Sequence, residues 1–407
     1  MNVQDTPEEA RFRVEVRSWL QATAPEFCKD LPADRSGIEY AARGQDWQRK
    51  KAAAGFAAIC LPQTLGGRDA SPMMEVIFAE EEARYPLPVG PLTSIGVGLA
   101  VPTILAHGTP EQIERFVKPT LLGELLWCQL FSEPAAGSDL AGLRARATRD
   151  GDDWIISGQK VWNSWAHVAH WGLLVARSDA SVPKHKGLSY FLLDMRTPGV
   201  EVRPIRQISG ESEFNEVFLN DVRIPDCCRI GQVGEGWKVT MTTLMNERVS
   251  VGGESGTLPD VRSVLGLLQT LEPELQAVYR MQLARLAAQE QGLKYFRFRL
   301  LTQISRGEML SAVAGMGKLV YANLLQDLSS LALDIAGTAG LYPETASPAM
   351  AAELKKFHDG YFWGAALRIA GGADEILRNQ IAERALGLPG DIRVDKEVAF
   401  SKLPSGR

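Results

Sequence analysis

Residues 127–171 read WCQLFSEPAAGSDLAGLRARATRDGDDWIISGQKVWNSWAHVAHW, and the fold of the chain turns on how this stretch is read. From Phe131 to Asp139 the side chains are mostly small, with a hydroxyl near each end, Ser132 and Ser138. Small side chains let backbone N–H groups come close to a ligand, and a serine hydroxyl both donates and accepts hydrogen bonds. Such a loop suits a phosphate or the polar edge of a flat ring. Further on, residues 154–164 (WIISGQKVWNS) predict a strand. Two positions separate Trp162 from Ser164, so the strand reading puts ring and hydroxyl on one side. The residues alone fit two pictures, a ligand-binding loop or an ordinary surface loop followed by a strand with a core Trp.

Working outward, 407 residues with 45% hydrophobic content can bury a large core and build two or three substructures. Lys and Arg number 44 against 49 Asp and Glu, a formal charge of −5 without a basic block. Nucleic acid and anionic membrane are therefore poor partners. No apolar run reaches the ~18 residues of a membrane helix, and residues 1–5 (MNVQD) lack a secretory pattern. Cys28, Cys60, Cys128, Cys227 and Cys228 are odd in number without CxxC spacing, which predicts reduced thiols in a cytoplasmic protein. His167 and His170 lack the further ligands of a zinc site, so no metal is expected.

The period of the apolar residues changes twice. Residues 1–122 read as helical, opened by a cap in Asp5-Thr6-Pro7 and followed by Phe12, Val16, Trp19 and Leu20 at helical spacing. Further helices are expected over 39–54, from Ser71-Pro72 onward, over 94–106 with a bend at Pro102, and from Thr109 onward. Residues 123–235 hold short strands, 154–157, 172–177, 189–194, 200–205, 216–218 and 222–224, parted by turn residues. Residues 236–390 are helical again, over 237–252, 259–268, 272–303, 310–339, 346–370 and 374–386, and residues 391–407 read as a loosely held polar tail. The expected class is α+β: an N-terminal helical bundle, an antiparallel β-barrel or sandwich, and a C-terminal helical bundle.

Order, spacing and residue types across 127–171 resemble the β-domain signature of the acyl-CoA dehydrogenase family, S/T-E-P-x-A-G-S-D followed by G-x-K-x-W-x-T/S. Weaker similarity runs from near residue 1 to near 388, and that family has the same α–β–α order. The resemblance implies bound FAD. Gln129, Phe131 and Ser132 would lie along the ring's polar edge, and Ser138 near the phosphates or the substrate. Trp162 would pack on the isoalloxazine and Ser164 would sit near N5, with Gly137 and Glu375 completing the implied cofactor contacts. Ala135 departs from the Gly frequent at its position.

The implied reaction is α,β-dehydrogenation of an acyl-CoA thioester to the trans-2-enoyl-CoA. It needs a desolvated carboxylate to take the α-proton and donors for the carbonyl oxygen. The family places its Glu either in a C-terminal Tyr-Glu-Gly-Thr-like turn or on a helix after the β-domain. Here the turn reads Ala370-Gly371-Gly372-Ala373, without a carboxylate, whereas the helix offers Glu247 in Leu244-Met245-Asn246-Glu247-Arg248-Val249. The resemblance thus makes Glu247 the base. The Gly371 N–H would polarise the thioester carbonyl, Arg248 would tune Glu247 or form a surface ion pair, and Gly371 would leave room for a bulky acyl group.

The nucleotide end departs from the family. Residues 271–306 lack its Arg-x-x-Phe/Gln-Gly segment, and its adenosine loop is reduced to Leu333–Gly340. Two assemblies fit, a homotetramer or an α2β2 heterotetramer whose homologous subunit supplies the missing Arg. An electron-transferring flavoprotein would be the electron acceptor. Two alternatives stand beside this reading: a non-catalytic or FAD-sharing partner subunit, and a related flavin oxidase or monooxygenase.

Overall fold

The computed structural model describes residues 5–32, 34–90, 92–250, 258–306 and 312–404; the side chains of 92–93, 247–250, 304–305 and 312 lie outside that description. The first helices are α1 (Pro7–Cys28), α2 (Ile38–Ala53), α3 (Pro72–Glu82), α4 (Val101–His107) and α5 (Pro110–Leu121). Eight strands follow: β1 (Trp127–Leu130), β2 (Arg146–Asp150), β3 (Asp153–Lys160), β4 (Trp171–Arg177), β5 (Leu188–Asp194), β6 (Val200–Pro204), β7 (Asn215–Pro225) and β8 (Arg229–Ile230). The later helices are α6 (Gly236–Ser250), α7 (Val261–Leu268), α8 (Pro273–Ser305), α9 (Gly315–Ala336), α10 (Thr338–Leu341), α11 (Pro348–Leu367) and α12 (Asp374–Arg384).

Local chemistry explains several boundaries. Thr6 and Glu9 satisfy each other's backbone N–H at the start of α1, so the cap is Thr6. Thr109 and Gln112 do the same for α5, with Pro110 at its first position. The helix expected over 94–106 is wound as a π-helix over Leu92–Ala100 and becomes α-helical at Val101. Pro102 has no N–H to donate, and the winding changes beside it.

Two compact units form. One is Met1–Ala24, Ser71–Pro86 and Val251–Gly390; the other is Pro25–Ala70, Leu87–Ser250 and Asp391–Arg407. In the first, α7, α8, α9 and α11 enclose Val264, Leu267, Leu283, Leu328, Leu354 and Phe357. α11 approaches α9 through glycine, since a Cβ on Gly360 would stand 2.6 Å from Ser329 Oγ. Arg13 and Arg17 of α1 converge on buried Glu81 of α3.

The second unit is built on one sheet of order β6-β7-β3-β2-β4-β5-β8, with β1 added on β4. Most neighbours are antiparallel; β1 and β2 each run parallel to β4. β4 and β5 are buried along almost their whole length, matching their continuous apolar runs. The two short strands expected at 216–218 and 222–224 are one strand, β7. It carries an irregularity opposite Ile156–Gly158, where Asp221 takes a positive φ of 51° and β7 accommodates one extra residue.

Two sequence expectations are corrected. The strand predicted through Ser164 stops at Lys160, so Trp162 and Ser164 do not share a strand face. The tail is anchored at Asp395 and around Phe400, while residues 391–394 are exposed. Ala399 bridges Pro183, the Phe400 and Ser401 N–H groups donate to Val182 O and Ala180 O, and the Phe400 ring is buried against the Arg177 guanidinium at 3.4 Å. A cation over an aromatic face and two backbone hydrogen bonds outweigh the polarity of the tail. Among the described residues no helix is long and apolar enough to cross a membrane.

Candidate functional site

The loop after β1 is pinned from beneath by a buried ion pair. Glu133 and Ala136 exchange backbone hydrogen bonds of 3.0 Å, closing a tight turn at Pro134-Ala135. The Glu133 carboxylate, 7% exposed, accepts from the Arg144 and Ala145 N–H groups at 2.6 and 2.9 Å. Lys160, 0% exposed, donates to the same carboxylate at 2.8 Å and to Phe131 O at 3.1 Å. Burial pulls the Lys160 ammonium below the usual lysine range, and Glu133 opposes that pull. The pair therefore fixes Phe131, the Ser132 turn and the start of β2 together. Gly137 and Ser138 project into solvent beyond the turn, and a Cβ on Gly137 would meet nothing within 4 Å.

Directly after β3 the chain makes a second, strained turn. Trp162 has φ of 61°, a left-handed conformation that bulky residues rarely adopt, and 59% of its surface is exposed. Its ring meets Phe214 edge-on at 6.1 Å. The Val161 N–H donates to Ser132 O at 2.9 Å, and the Asn163 side chain donates to Gln129 O at 2.8 Å. Segments 129–132 and 161–164, singled out separately in the sequence, are thus joined by hydrogen bonds. Asn163 is almost fully buried, and its Oδ1 has no hydrogen-bond partner. Asn215, at the start of β7, accepts the Asn163 N–H at 3.0 Å through its own carbonyl. Its amide donates to Asn163 O and Glu213 O, at 2.9 and 3.0 Å. Its Oδ1 faces His167 Nδ1 at 3.1 Å, and His167 Nε2 faces Ser36 O at 2.8 Å.

The Glu213 carboxyl, partly buried and beside Glu211, is pushed up to about 7 by loss of water and secondarily by the Glu211 charge. On α6, Thr243 is fully buried and hydrogen-bonds Tyr190 at 3.1 Å and Thr103 at 2.9 Å. The Tyr190 ring in turn stands edge-on to Phe131 at 5.9 Å. Glu247 follows Thr243 by one helical turn on α6. The Glu247 and Arg248 side chains lie outside the described residues.

In the other unit, Gly371 and Gly372 take φ of 64° and 94°, so both positions favour glycine. The turn is tied down at its far side. Buried Lys318 donates to Gly372 O at 2.9 Å and pairs with buried Asp374, which also accepts from Arg368 at 3.1 Å. Glu375 is exposed, 3.9 Å from Arg378.

The far end of the Ser132–Asp139 loop is held by the tail. Lys184 bonds both Asp139 oxygens at 2.9 Å and Asp395 at 2.5 Å. Arg177 lies beside them, nearly buried, donating to the carbonyls of Ala141, Leu143 and Lys184; burial lowers it to about 10.

Sequence reasoning missed Glu133, Lys160, Asn163, Asn215 and the tail. One signal was present: alternation from Trp154 and Ile156 places Lys160 on the buried face of its strand, where a lysine needs a partner. The Asn163–Asn215 pairing joins distant segments and left no local pattern.

Three acyl-CoA dehydrogenase family models match the chain: the N-terminal domain over residues 6–124, the middle domain over 128–222 and the C-terminal domain over 234–386. The acyl-CoA dehydrogenase FadE34 of Mycobacterium tuberculosis is 42% identical over 323 residues, 79% of this chain. The match covers 43% of FadE34, so this chain aligns with less than half of that relative. The acyl-CoA dehydrogenase IpdE1 of the same organism is 37% identical over 397 residues, 96% of this chain and 100% of that relative. Among solved structures, the Tcur3481-Tcur3483 steroid ACAD has a TM-score of 0.81 at 26% identity, covering 96% of this chain and 100% of its own. The ChsE4-ChsE5 complex of Mycobacterium tuberculosis has a TM-score of 0.79 at 27% identity with the same coverage.

Proposed function

The chain belongs to the acyl-CoA dehydrogenase family of oxidoreductases acting on CH–CH bonds, and from that premise we propose that it binds FAD and dehydrogenates an acyl-CoA thioester between Cα and Cβ. The observation that carries the reading is the exposed, left-handed Trp162, hydrogen-bonded through its neighbour to the pinned Ser132 turn. Strained backbone clusters at ligand sites, and here it presents a large exposed aromatic face beside the pinned turn.

The residues present fit a flat ring with a polar edge. A large aromatic face is free of the core, the adjoining loop is small-residued, and a buried amide oxygen, Asn163 Oδ1, lacks a donor. Family members are generally flavoproteins. In this reading Gln129, Phe131 and Ser132 hold the polar edge, Trp162 and Ser164 the ring, Gly137 and Ser138 the chain of the cofactor, and Glu375 its outer contacts. When bound, FAD supplies the two-electron acceptor that takes the β-hydrogen as hydride.

The protein's own part is proton removal and carbonyl polarisation. The Glu247 carboxylate takes the α-proton, with Arg248 setting its electrostatic surroundings. The Gly371 N–H donates to the thioester oxygen, where negative charge accumulates as the α-proton leaves. Ser138 contacts the substrate as well as the cofactor. Having only hydrogen at residue 371 favours a wide acyl group, and a steroid-derived acyl-CoA is the proposed class, supported by the solved relative titled a steroid ACAD.

Reconstituted with FAD and mixed anaerobically with a panel of CoA thioesters, the protein should bleach its flavin absorbance with at least one bulky acyl group. Glu247→Gln should keep the flavin and lose the bleaching by a factor of about 10³ or more. Bleaching by the variant at the wild-type rate removes Glu247 from the mechanism, and rapid oxygen consumption without an added acceptor favours an oxidase.

A second reading concerns assembly. Two solved relatives carry paired names, Tcur3481-Tcur3483 and ChsE4-ChsE5, and residues 271–306 lack the arginine segment noted above. This supports an α2β2 heterotetramer with a homologous subunit over a homotetramer. Mass measurement of the protein alone and co-expressed with a homologous chain decides between them. Electrons would pass on to an electron-transferring flavoprotein.

A further inference from the structure

The turn at Trp162 is energetically unfavourable by itself, because a left-handed φ brings the Cβ of a bulky residue against its own backbone. A strained turn persists only where its surroundings fix the residues on both sides. On the N-terminal side, the Val161 N–H is held by Ser132 O. On the C-terminal side, one residue supplies nearly everything. Asn215 accepts from the Asn163 N–H, donates to Asn163 O, and donates again to Glu213 O. Both backbone polar groups of Asn163 are therefore satisfied by a single residue, and its side chain is left to reach Gln129 O. The amide of Asn215 is oriented by these two carbonyls, so its Oδ1 faces His167 Nδ1. His167 also faces Ser36 O, which ties the assembly to the segment before α2.

We propose that Asn215 and Asn163 are the positioning residues of the cofactor site, a two-asparagine clamp that holds the strained turn and so presents Trp162 and Ser164. Neither acts on substrate. Asn215 sets the backbone of residue 163, and Asn163 fastens that turn to β1 through Gln129. A residue other than asparagine at 215 cannot donate twice and accept once within this geometry, and an apolar one leaves Asn163 O buried without a donor. The same argument gives Glu213 a fixed backbone: its carbonyl receives the Trp165 N–H as well as the Asn215 amide. Phe214, the ring that meets Trp162, thus sits between two fastened residues. The clamp sets both aromatic groups of the turn at once.

This inference rests on the flavin reading for its consequence but not for its test. Asn215→Leu removes the amide with little change in volume. Leu192→Ala, in the core of β5, serves as a control that lowers stability without touching the clamp. In the full apo chain, amide hydrogen exchange at Val161, Asn163 and Trp165 should quicken by about tenfold or more in Asn215→Leu relative to the control. After reconstitution, FAD titration should show Kd weakened by about tenfold in Asn215→Leu and by less than about twofold in the control. If Asn215→Leu does not fold, Asn163→Ala carries the exchange measurement at Val161 and Trp165, with about a threefold change expected because the tie to Gln129 is cut. Unchanged exchange at 161–165 overturns the clamp whether or not the protein binds flavin. Faster exchange with FAD bound as tightly as in wild type overturns its role in presenting the ring. A wild-type protein that binds no FAD refutes the flavin reading alone and leaves the exchange result to decide the clamp.

Discussion

Glu133→Gln and Lys160→Met remove the two halves of the same buried pair and should not be equivalent. In Glu133→Gln the ammonium of Lys160 loses its counter-charge inside a site with no water contact and keeps only neutral acceptors, Phe131 O at 3.1 Å and the amide oxygen. The new amide also turns an NH2 group toward donors, because the carboxylate receives two backbone N–H groups and an ammonium. Stranding a buried charge in this way costs about 3–5 kcal/mol. In Lys160→Met the carboxylate retains the Arg144 and Ala145 N–H groups, both charge-assisted, while Phe131 O is orphaned. The expected loss is about 2–3 kcal/mol, the upper part of the range for one unsatisfied buried group. In the double variant no charge is left buried, so its loss should fall short of the sum of the singles by about 2 kcal/mol or more. Urea unfolding of the three variants, monitored by tryptophan fluorescence, gives the cycle directly. Additive losses, or Lys160→Met more damaging than Glu133→Gln, would refute the view that this pair pins the Ser132 turn.

Trp162→Gly should leave apoprotein stability within about 1 kcal/mol of wild type, because relief of the strained φ offsets the lost edge contact and the entropy of glycine; FAD affinity, by titration, should still fall by about tenfold or more. Glu213 holds its proton up to about pH 7, above the ordinary 4.5, so the native state binds the proton more tightly than the unfolded one. Stability therefore falls as pH rises from about 4.5 to 7, by at most about 3 kcal/mol and nearer 1–2 for a side chain that keeps some water. Melting curves of Glu213→Gln should lose that decline, and parallel curves for both proteins would exclude Glu213 as its source. Phe400→Ala uncovers Arg177 and should cost about 3 kcal/mol in chemical denaturation, with Phe400→Leu in between.

Much of this was legible before any coordinates, for a physical reason. Strands and helices announce themselves through the period of their own apolar residues, so β4 and β5 and the long helices α8 and α11 fall near their expected bounds. The small-residue loop was readable because glycine, serine and proline are chosen for backbone reasons that act locally. Trp162 was misplaced because a left-handed residue has no period, and the strand pattern runs on past it. Asn163 and Asn215 went unnoticed because their meaning lies in each other, 52 positions apart in the chain. The tail looked loose because its composition is polar, while what holds it is a ring laid on a guanidinium, two backbone hydrogen bonds and the Lys184–Asp395 pair, all with distant partners.

The grip of Lys184 on Asp139 and Asp395 has a timetable. On the ribosome, Asp139 and Lys184 emerge long before Asp395 and Phe400 are made, an interval of roughly ten to fifty seconds at ordinary elongation speeds. Throughout it, the apolar face of the Arg177 guanidinium has no ring to lie on. The nascent chain thus completes its sheet while one edge of its loop is still unfastened, and the tail closes it last.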